Sequence, residues 1–561
     1  MLVGYVTGSE ETSPYEFLVR VRSKPEDLPE TMLKIGDILK TSFYYPNHGR
    51  ITIYAMVTEI FSSWDGDYIT GFEESMMIEK KLRLPMRTFM ARVVTTRIVS
   101  ETSPYNPPDV PPVPGSAVYL VDGEEEVNVS LGFDDLIEKK KALPVGILPN
   151  GAVAYVDLDY ILGDNGAHIN ISGQSGVASK TSYMTFLMRS LVDHVGSPKP
   201  IFIVFNVKGQ GLMFLDRGSD SWSRLKNTPR GRIWQDMYRR MGVKPEPFDR
   251  VEFYAVRKDY LNSKPDSIRS SARSYFWSSK DVFDSNLFEM VFDPDELARN
   301  SNLMLGVMMI TEYMEDVGWR RINDPYDLVK NLKETESKLV QFLLEEGKGI
   351  PRSTVKLLQR RIQLAAKTGL DLLWHKDASE ESRINWNRPG GITVIDISKL
   401  RTRMQSLVVG AVLKDIMREK ERGNLMGVPV FILIDELNKY SPRNERSEIA
   451  SIFRDVAERG RSFGIILVGA EQTASEVDYR VVTQASTTVV GRQKWVELQK
   501  SEYGHLLPEQ KRKVATLRQG EMIIDQPFLR VPILVRFPYP AWALREDDFS
   551  EENMDIERLL T

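Results

Sequence analysis

The stretch His168-Ile-Asn-Ile-Ser-Gly173-Gln-Ser-Gly176-Val-Ala-Ser-Lys180-Thr181-Ser182 decides how this chain is read. A short apolar run, strand-like, enters a turn with two glycines, then Lys-Thr, then the apolar segment Tyr183–Val192, which has helical texture. Such a strand, turn and helix suit a phosphate, because backbone N–H groups and the positive end of a helix surround its oxygens while a lysine adds a point charge. On this reading Gly173, Ser175, Gly176, Val177, Ala178, Ser179, Lys180, Thr181 and Ser182 hold a nucleotide. Lys180 reaches the β and γ phosphates, and Thr181 ligates magnesium. The spacing is irregular: Gly173 to Lys180 is seven positions where G-x-x-x-x-G-K-[ST] places about six, and Ser179 precedes the lysine where glycine is usual. The loop therefore carries an extra residue.

Further along, Val430-Phe-Ile-Leu-Ile434-Asp435-Glu436 is an apolar strand ending in two adjacent acids. A nucleotide hydrolase needs one carboxylate for the magnesium shell and another to polarise water, so Asp435 is assigned the metal and Glu436 the base. Beyond it, Ala457-Glu-Arg459-Gly460-Arg461-Ser-Phe-Gly464 ends a helix and feeds a strand that stops at Gln472, an amide suited to sensing a γ-phosphate or orienting water. Arg459, Arg461 and Arg492 are candidates for the charge that stabilises a transferring phosphoryl group, across a subunit boundary or within one chain.

Around these motifs the texture from about residue 145 alternates apolar strands with amphipathic segments, which predicts an α/β fold with a mostly parallel sheet. The first 140 residues read as a β-barrel, interrupted by the proline-rich run Pro104–Gly115. The expected domains are the barrel, 1–140; an ATPase core, 141–264 and 386–510; a helical insertion, 265–385, with Leu303, Val307, Ile310 and Met314 on one face; and a β and helical extension, 511–561. With 561 residues, 42% of them hydrophobic and 27% charged, the chain has ample material for several cores and is not a disordered or fibrous protein. It has no Cys and only five His, which excludes disulfides, thiolate metal sites and cysteine nucleophiles. The net charge of −4 means that any nucleic-acid contact depends on a local basic lining, for which Lys208 with Gly209, and Arg401 with Arg403, are candidates beside ordinary solvated surface. Neither a secretory signal nor an apolar run of the ~18 residues a membrane span needs is visible, so no membrane association and a cytoplasmic location are expected.

The phosphate loop, Ile432-Leu-Ile-Asp435-Glu436-Leu-Asn-Lys-Tyr440-Ser-Pro442, Glu458-Arg-Gly-Arg461-Ser-Phe-Gly464, Gln472 and Leu517-Arg-Gln-Gly520-Glu521 together resemble the HerA family of hexameric ATPases, relatives of the FtsK DNA pumps. The resemblance implies a RecA-type P-loop NTPase core, ATP with Mg2+ as cofactors, and a homo-hexamer that translocates double-stranded DNA. It also implies an effector enzyme as partner, a nuclease or a sirtuin-like NAD hydrolase in anti-phage defence. Two positions depart from the family: Ala167-His168 stands where many archaeal members have an arginine, and Asn206 where an aspartate is usual. A nucleotide-binding scaffold ring with little translocation is the alternative.

Overall fold

The computed structural model describes all residues except 9–10, 24–31, 47, 66–85, 105, 175, 177–178, 210, 317–320, 346–348, 445–446 and 545–561. Three of the proposed loop residues, Ser175, Val177 and Ala178, and the acidic tail after 544 therefore lie outside the described residues. The chain divides into two compact units, Met1–Leu158 with Thr488–Phe537, and Asp159–Thr487 with Pro538–Thr561.

The first unit contains a closed antiparallel barrel of β1 (Leu2–Val6), β2 (Glu16–Val21), β3 (Ile38–Tyr45), β4 (Gly49–Asp65), β5 (Met86–Ser100) and β6 (Ala117–Leu120), in the order β1-β2-β5-β4-β3-β6. Closure leaves no free edge, and Val3, Val19, Ile51, Ile53, Val57, Val93 and Val118 fill the interior. The proline-rich run joins β5 to β6, where the Thr12 hydroxyl donates to Pro112 O at 3.2 Å. A second antiparallel group pairs β7 (Ala142–Ile147) with β8 (Val153–Asp157), and β19 (Glu521–Asp525) with β20 (Ile533–Arg536), with β20 beside β7. Residues 142–157, which the sequence reading gives to the core, thus group with the barrel, as does 488–510. Their apolar runs are compatible with either sheet, and the antiparallel partner decides.

The second unit is built on a parallel sheet of β9 (Ala167–Ser172), β10 (Ile201–Asn206), β11 (Val251–Ala255), β14 (Arg273–Ser274), β15 (Ile392–Asp396), β16 (Val430–Asp435) and β17 (Ile465–Glu471). Its order is β14-β11-β15-β10-β16-β17-β9, with a small hairpin of β12 (Arg257–Asp259) and β13 (Asn262–Pro265) after β11. Every residue of β9, β10 and β17 is buried, as strands covered on both faces require; β10 and β17 read as apolar runs closed by Asn206 and Glu471, whereas β9 carries His168, Asn170 and Ser172 between its apolar residues. One strand, β17, stands between the phosphate-loop strand β9 and the acid-bearing strand β16. The fold is thus α/β, with the two motif-bearing strands separated by one parallel strand and their carboxyl ends on the same side of the sheet. Between β14 and β15 the chain makes its helical insertion. There Leu303, Val307, Ile310 and Met314 of the helix Ser301–Asp316 are buried, and Asp293, Asp324 and Ser337 cap neighbouring helices with their side chains. Strand β18 (Ala485–Val490) carries the chain from this unit back to the first. Among the described residues, no helix is long and apolar enough to cross a membrane.

Candidate nucleotide site

In an open parallel sheet, ligands sit beyond the carboxyl ends of the strands. Here register brings those ends into one row: Ser172 lies opposite Glu471, Asp435 opposite Ala470, and Asn206 opposite Asp396. From β9 the chain enters the loop, where Gly173 N–H donates to Glu471 O at 3.1 Å. Gly176 (φ 77°) and Ser179 (φ 49°) both take left-handed conformations. For Ser179 this is costly backbone, the position where glycine is usual. The helix Lys180–His194 starts directly after it without a side-chain cap, so its first N–H groups remain for a ligand.

Lys180 is 7% exposed, and its ammonium donates to Gly173 O at 2.5 Å. Burial pushes its pKa down, while the charges of Asp435 and Glu436 push back. The Thr181 hydroxyl donates to Asp435 Oδ2 at 3.3 Å, so the two proposed magnesium ligands converge although they come from opposite ends of the domain sequence. Among the described residues no three His, Asp or Glu cluster as a metal cage. A hydroxyl, a carboxylate and phosphate oxygens are the oxygen set that Mg2+ accepts, so the residues present fit a magnesium nucleotide.

Glu436 sits at φ 61°, a left-handed conformation that turns its side chain back over the row of strand ends. It is 5% exposed. Its Oε1 accepts from Gln472 Nε2 at 3.1 Å and from the Lys208 ammonium, and Lys439 lies 3.8 Å from Oε2. Burial works to raise the Glu436 carboxyl, but the bonds from Lys208 and Gln472 outweigh it and hold the group below the usual carboxylate range. Gly469 makes room for this turn, since a Cβ there would stand 2.4 Å from Leu437 Cδ2.

Lys208, considered above as a channel residue, belongs to this site instead. Asn206, 1% exposed, donates to Asp396 Oδ1 at 2.9 Å and to Gly209 O at 2.7 Å. An aspartate there would face the Asp396 carboxylate, so the amide suits its neighbour. Arg403 is likewise committed, to Asp293 at 2.7 Å.

The arginines fall elsewhere. Arg461 donates to Gly163 O at 3.0 Å and Asp164 O at 2.7 Å, carbonyls that precede β9, and Arg459 pairs with Asp455 and Glu421. Both therefore lie at the amino ends of the strands, separated from Gln472 by the seven residues of β17, about 23 Å of extended chain. Within one chain they cannot serve this site, which corrects any reading of them as catalytic in cis. Arg492 is exposed and belongs to the first unit. His168, at the position where the resemblance would place an arginine, is a buried clip: Leu467 N–H donates to its Nδ1, and its Nε2 meets Ala457 O, each at 3.0 Å. That pattern fixes the Nε2–H tautomer, and burial pushes the imidazole down to about 4.

No family model matches the chain. It is 24% identical over 184 residues to the DNA double-strand break repair helicase HerA of Pyrococcus furiosus, a match covering 27% of this chain and 33% of that protein, so the chain spans a third of the length of this curated relative. A solved structure of the plasmid coupling protein TrwB in complex with ADP and Mg2+ aligns with a TM-score of 0.46 at 13% identity, covering 74% of this chain and 95% of that one. VirB4 of Thermoanaerobacter pseudethanolicus aligns with a TM-score of 0.43 at 14% identity, covering 71% and 96%.

Proposed function

We propose that this protein is a ring-forming ATPase of the HerA type that hydrolyses Mg2+-ATP and moves along double-stranded DNA. The observation that carries the reading is the convergence of Lys180, Thr181, Asp435, Glu436 and Gln472 at the carboxyl ends of one parallel sheet. Bound Mg2+-ATP would supply the scissile phosphoanhydride and the metal's charge. Lys180 and the helix it begins would hold the phosphates, Thr181 and Asp435 the metal, and Glu436, oriented by Gln472, would accept the proton of the attacking water. The positions of Arg459 and Arg461, remote from their own chain's site, favour a homo-hexamer whose neighbouring subunits complete each other's sites.

A local basic surface supports the DNA part. Residues 220–241 hold six Lys or Arg against two Asp. On the helix Pro229–Met241 and its lead-in, Arg224, Arg230, Arg232 and Arg239 are exposed beside Ile233, and Arg230 lies over the Trp234 ring at 5.2 Å. Exposed guanidinium groups interleaved with an indole suit a phosphate backbone. For the barrel we propose docking of an effector enzyme, a nuclease or a sirtuin-like NAD hydrolase acting in anti-phage defence.

The test is turnover. Purified protein should hydrolyse ATP only with magnesium, and double-stranded DNA should raise the rate by an amount that fades with salt. Turnover indifferent to DNA would favour the scaffold ring, and no turnover at all would sink the enzyme reading.

A further inference from the structure

Around the Asp435–Glu436 pair stand more cations than phosphate binding alone accounts for. Lys180 is the buried one, tied to Gly173 O. Lys208 is different: its side chain is 49% exposed while the carboxylate it holds is 7% exposed, so a solvated ammonium covers the buried acid from outside. It extends from the end of β10, the strand next to β16, and is followed by Gly209 at φ 54°, where a Cβ would meet nothing within 4 Å. The acid it holds follows Asp435, which accepts from Thr181 of the phosphate-binding helix at 3.3 Å, so Lys208 stands beside the place the phosphates would occupy. A lysine is a point charge on a flexible stem that can exchange one anion for another. A carboxylate held by that ammonium is poorly placed to accept a proton.

We propose that Lys208 is a positioning residue that reports the terminal phosphate of a bound nucleoside triphosphate, holding the Glu436 carboxylate while the site is empty and releasing it when phosphate oxygens take the ammonium. This rests on the nucleotide-site reading above. The competition favours exchange, because a terminal phosphate carries more charge and more acceptor oxygens than a carboxylate. Glu436 then keeps its bond from Gln472 and the longer contact with Lys439 at 3.8 Å, which leaves it oriented with Oε1 no longer held by the Lys208 ammonium. A diphosphate lacks the group that draws Lys208 away, so the same contact would discriminate product from substrate.

Equilibrium binding of a non-hydrolysable ATP analogue and of ADP, each with magnesium, to the full chain tests this without turnover. Lys208→Met should weaken the triphosphate analogue about tenfold and leave ADP within about twofold, while Lys208→Arg should keep most of the preference. Glu436→Gln, which removes the competing carboxylate, should bind the analogue several-fold more tightly than wild type, and adding Lys208→Met should abolish that gain. Melting temperatures of all variants separate misfolding from lost recognition. Equal losses for both nucleotides, or none for either, overturn the proposal while leaving the nucleotide site intact. Failure of the wild-type chain to bind either nucleotide sinks the site reading, and this proposal with it.

Discussion

The two ends of β9 perform opposite tasks. At its amino end His168 uses both ring nitrogens on backbone groups of neighbouring elements, is 3% exposed and is neutral. At its carboxyl end the chain passes through left-handed Ser179 into Lys180, a lysine buried among acids, and faces Glu436, itself left-handed, across the row of strand ends. The first end spends its unusual residue on cohesion. Left-handed backbone occurs at both ends, His168 itself at φ 67°, but the second end adds buried charges gathered where an anion would bind. Substitutions at the two ends should therefore separate activity from stability.

The largest effect belongs to the carboxyl end. Glu436→Gln should lower ATP turnover by about two to three orders of magnitude, as loss of a group acting in the transition state does, with the melting temperature lowered only slightly, because the amide fills the same space and loses only the attraction of Lys208. Its counterpart, His168→Ala, should leave the turnover of folded protein near wild type. It should also destabilise the fold by about 2–4 kcal/mol, since the Leu467 N–H is left buried without a partner and the buried ring leaves a cavity. If denaturation midpoints and rates move together in both variants, the two ends are not separable.

The same histidine makes a pH prediction with a definite sign. Its pKa is about 4 when folded against about 6.5 for a free imidazole, so the unfolded chain binds the proton more readily. The contribution is complete above about pH 6.5 and is lost as pH falls towards 4, by about 3 kcal/mol in total. His375 and His505 are also depressed, mainly by burial, and act in the same direction. The part due to His168 is the difference in stability slope between wild type and His168→Asn from pH 7 to 4.5, and equal slopes would refute it.

How much of this was legible beforehand follows from the range of the interactions. Strand β16 and the acids at its end could be read locally, because a strand buried on both faces is an apolar run and the chemistry sits at its end, while β9 is marked by the glycine turn and the Lys-Thr pair that follow it. Strands β2 and β3 of the barrel are not legible locally, since polar residues such as Arg20 and Lys40 break their apolar runs and only the closed neighbours define them. From sequence Lys208 is a channel candidate or ordinary solvated surface, and Asn206 stands where an acid is usual. Both meanings come from register: β10 lies between β15 and β16, which sets Asn206 against Asp396 and lets Lys208 reach Glu436. Nothing within ten residues of either position carries that information. The arginines are the reverse case, because Arg461 and Gln472 are close in sequence yet lie at opposite ends of a strand, a separation that strand length alone implies.

Between the two ends, Gly469 offers an intermediate test. A side chain there meets Leu437, the residue after the base, so Gly469→Val should push on the Glu436 turn through packing. We expect about a tenfold loss of turnover with a stability loss of about 1–3 kcal/mol, the range for overpacking a buried site. Adding Leu437→Ala should recover part of both losses. A variant that loses stability but keeps its rate would show that the turn does not position the carboxylate.

The smallest effect on stability is expected at Arg461, and it decides the most about assembly. The side chain is exposed and its two bonds go to carbonyls of the loop before β9, so Arg461→Ala should cost about 1 kcal/mol or less. If its work were confined to its own chain, turnover would follow that small number. If it completes a neighbour's site, Arg461→Ala should be nearly inactive while remaining well folded, and so should Glu436→Gln, for different reasons. Mixing the two inactive proteins under conditions that allow subunit exchange then distinguishes the cases. A site built from the Glu436 of one chain and the Arg461 of another has both groups intact, and some turnover should return, rising to a maximum near equal proportions. If mixtures stay as inactive as their components while exchange is demonstrated, Arg461 holds only its own loop, and the missing cation must come from another arginine, with Arg459 and Arg492 the next to substitute.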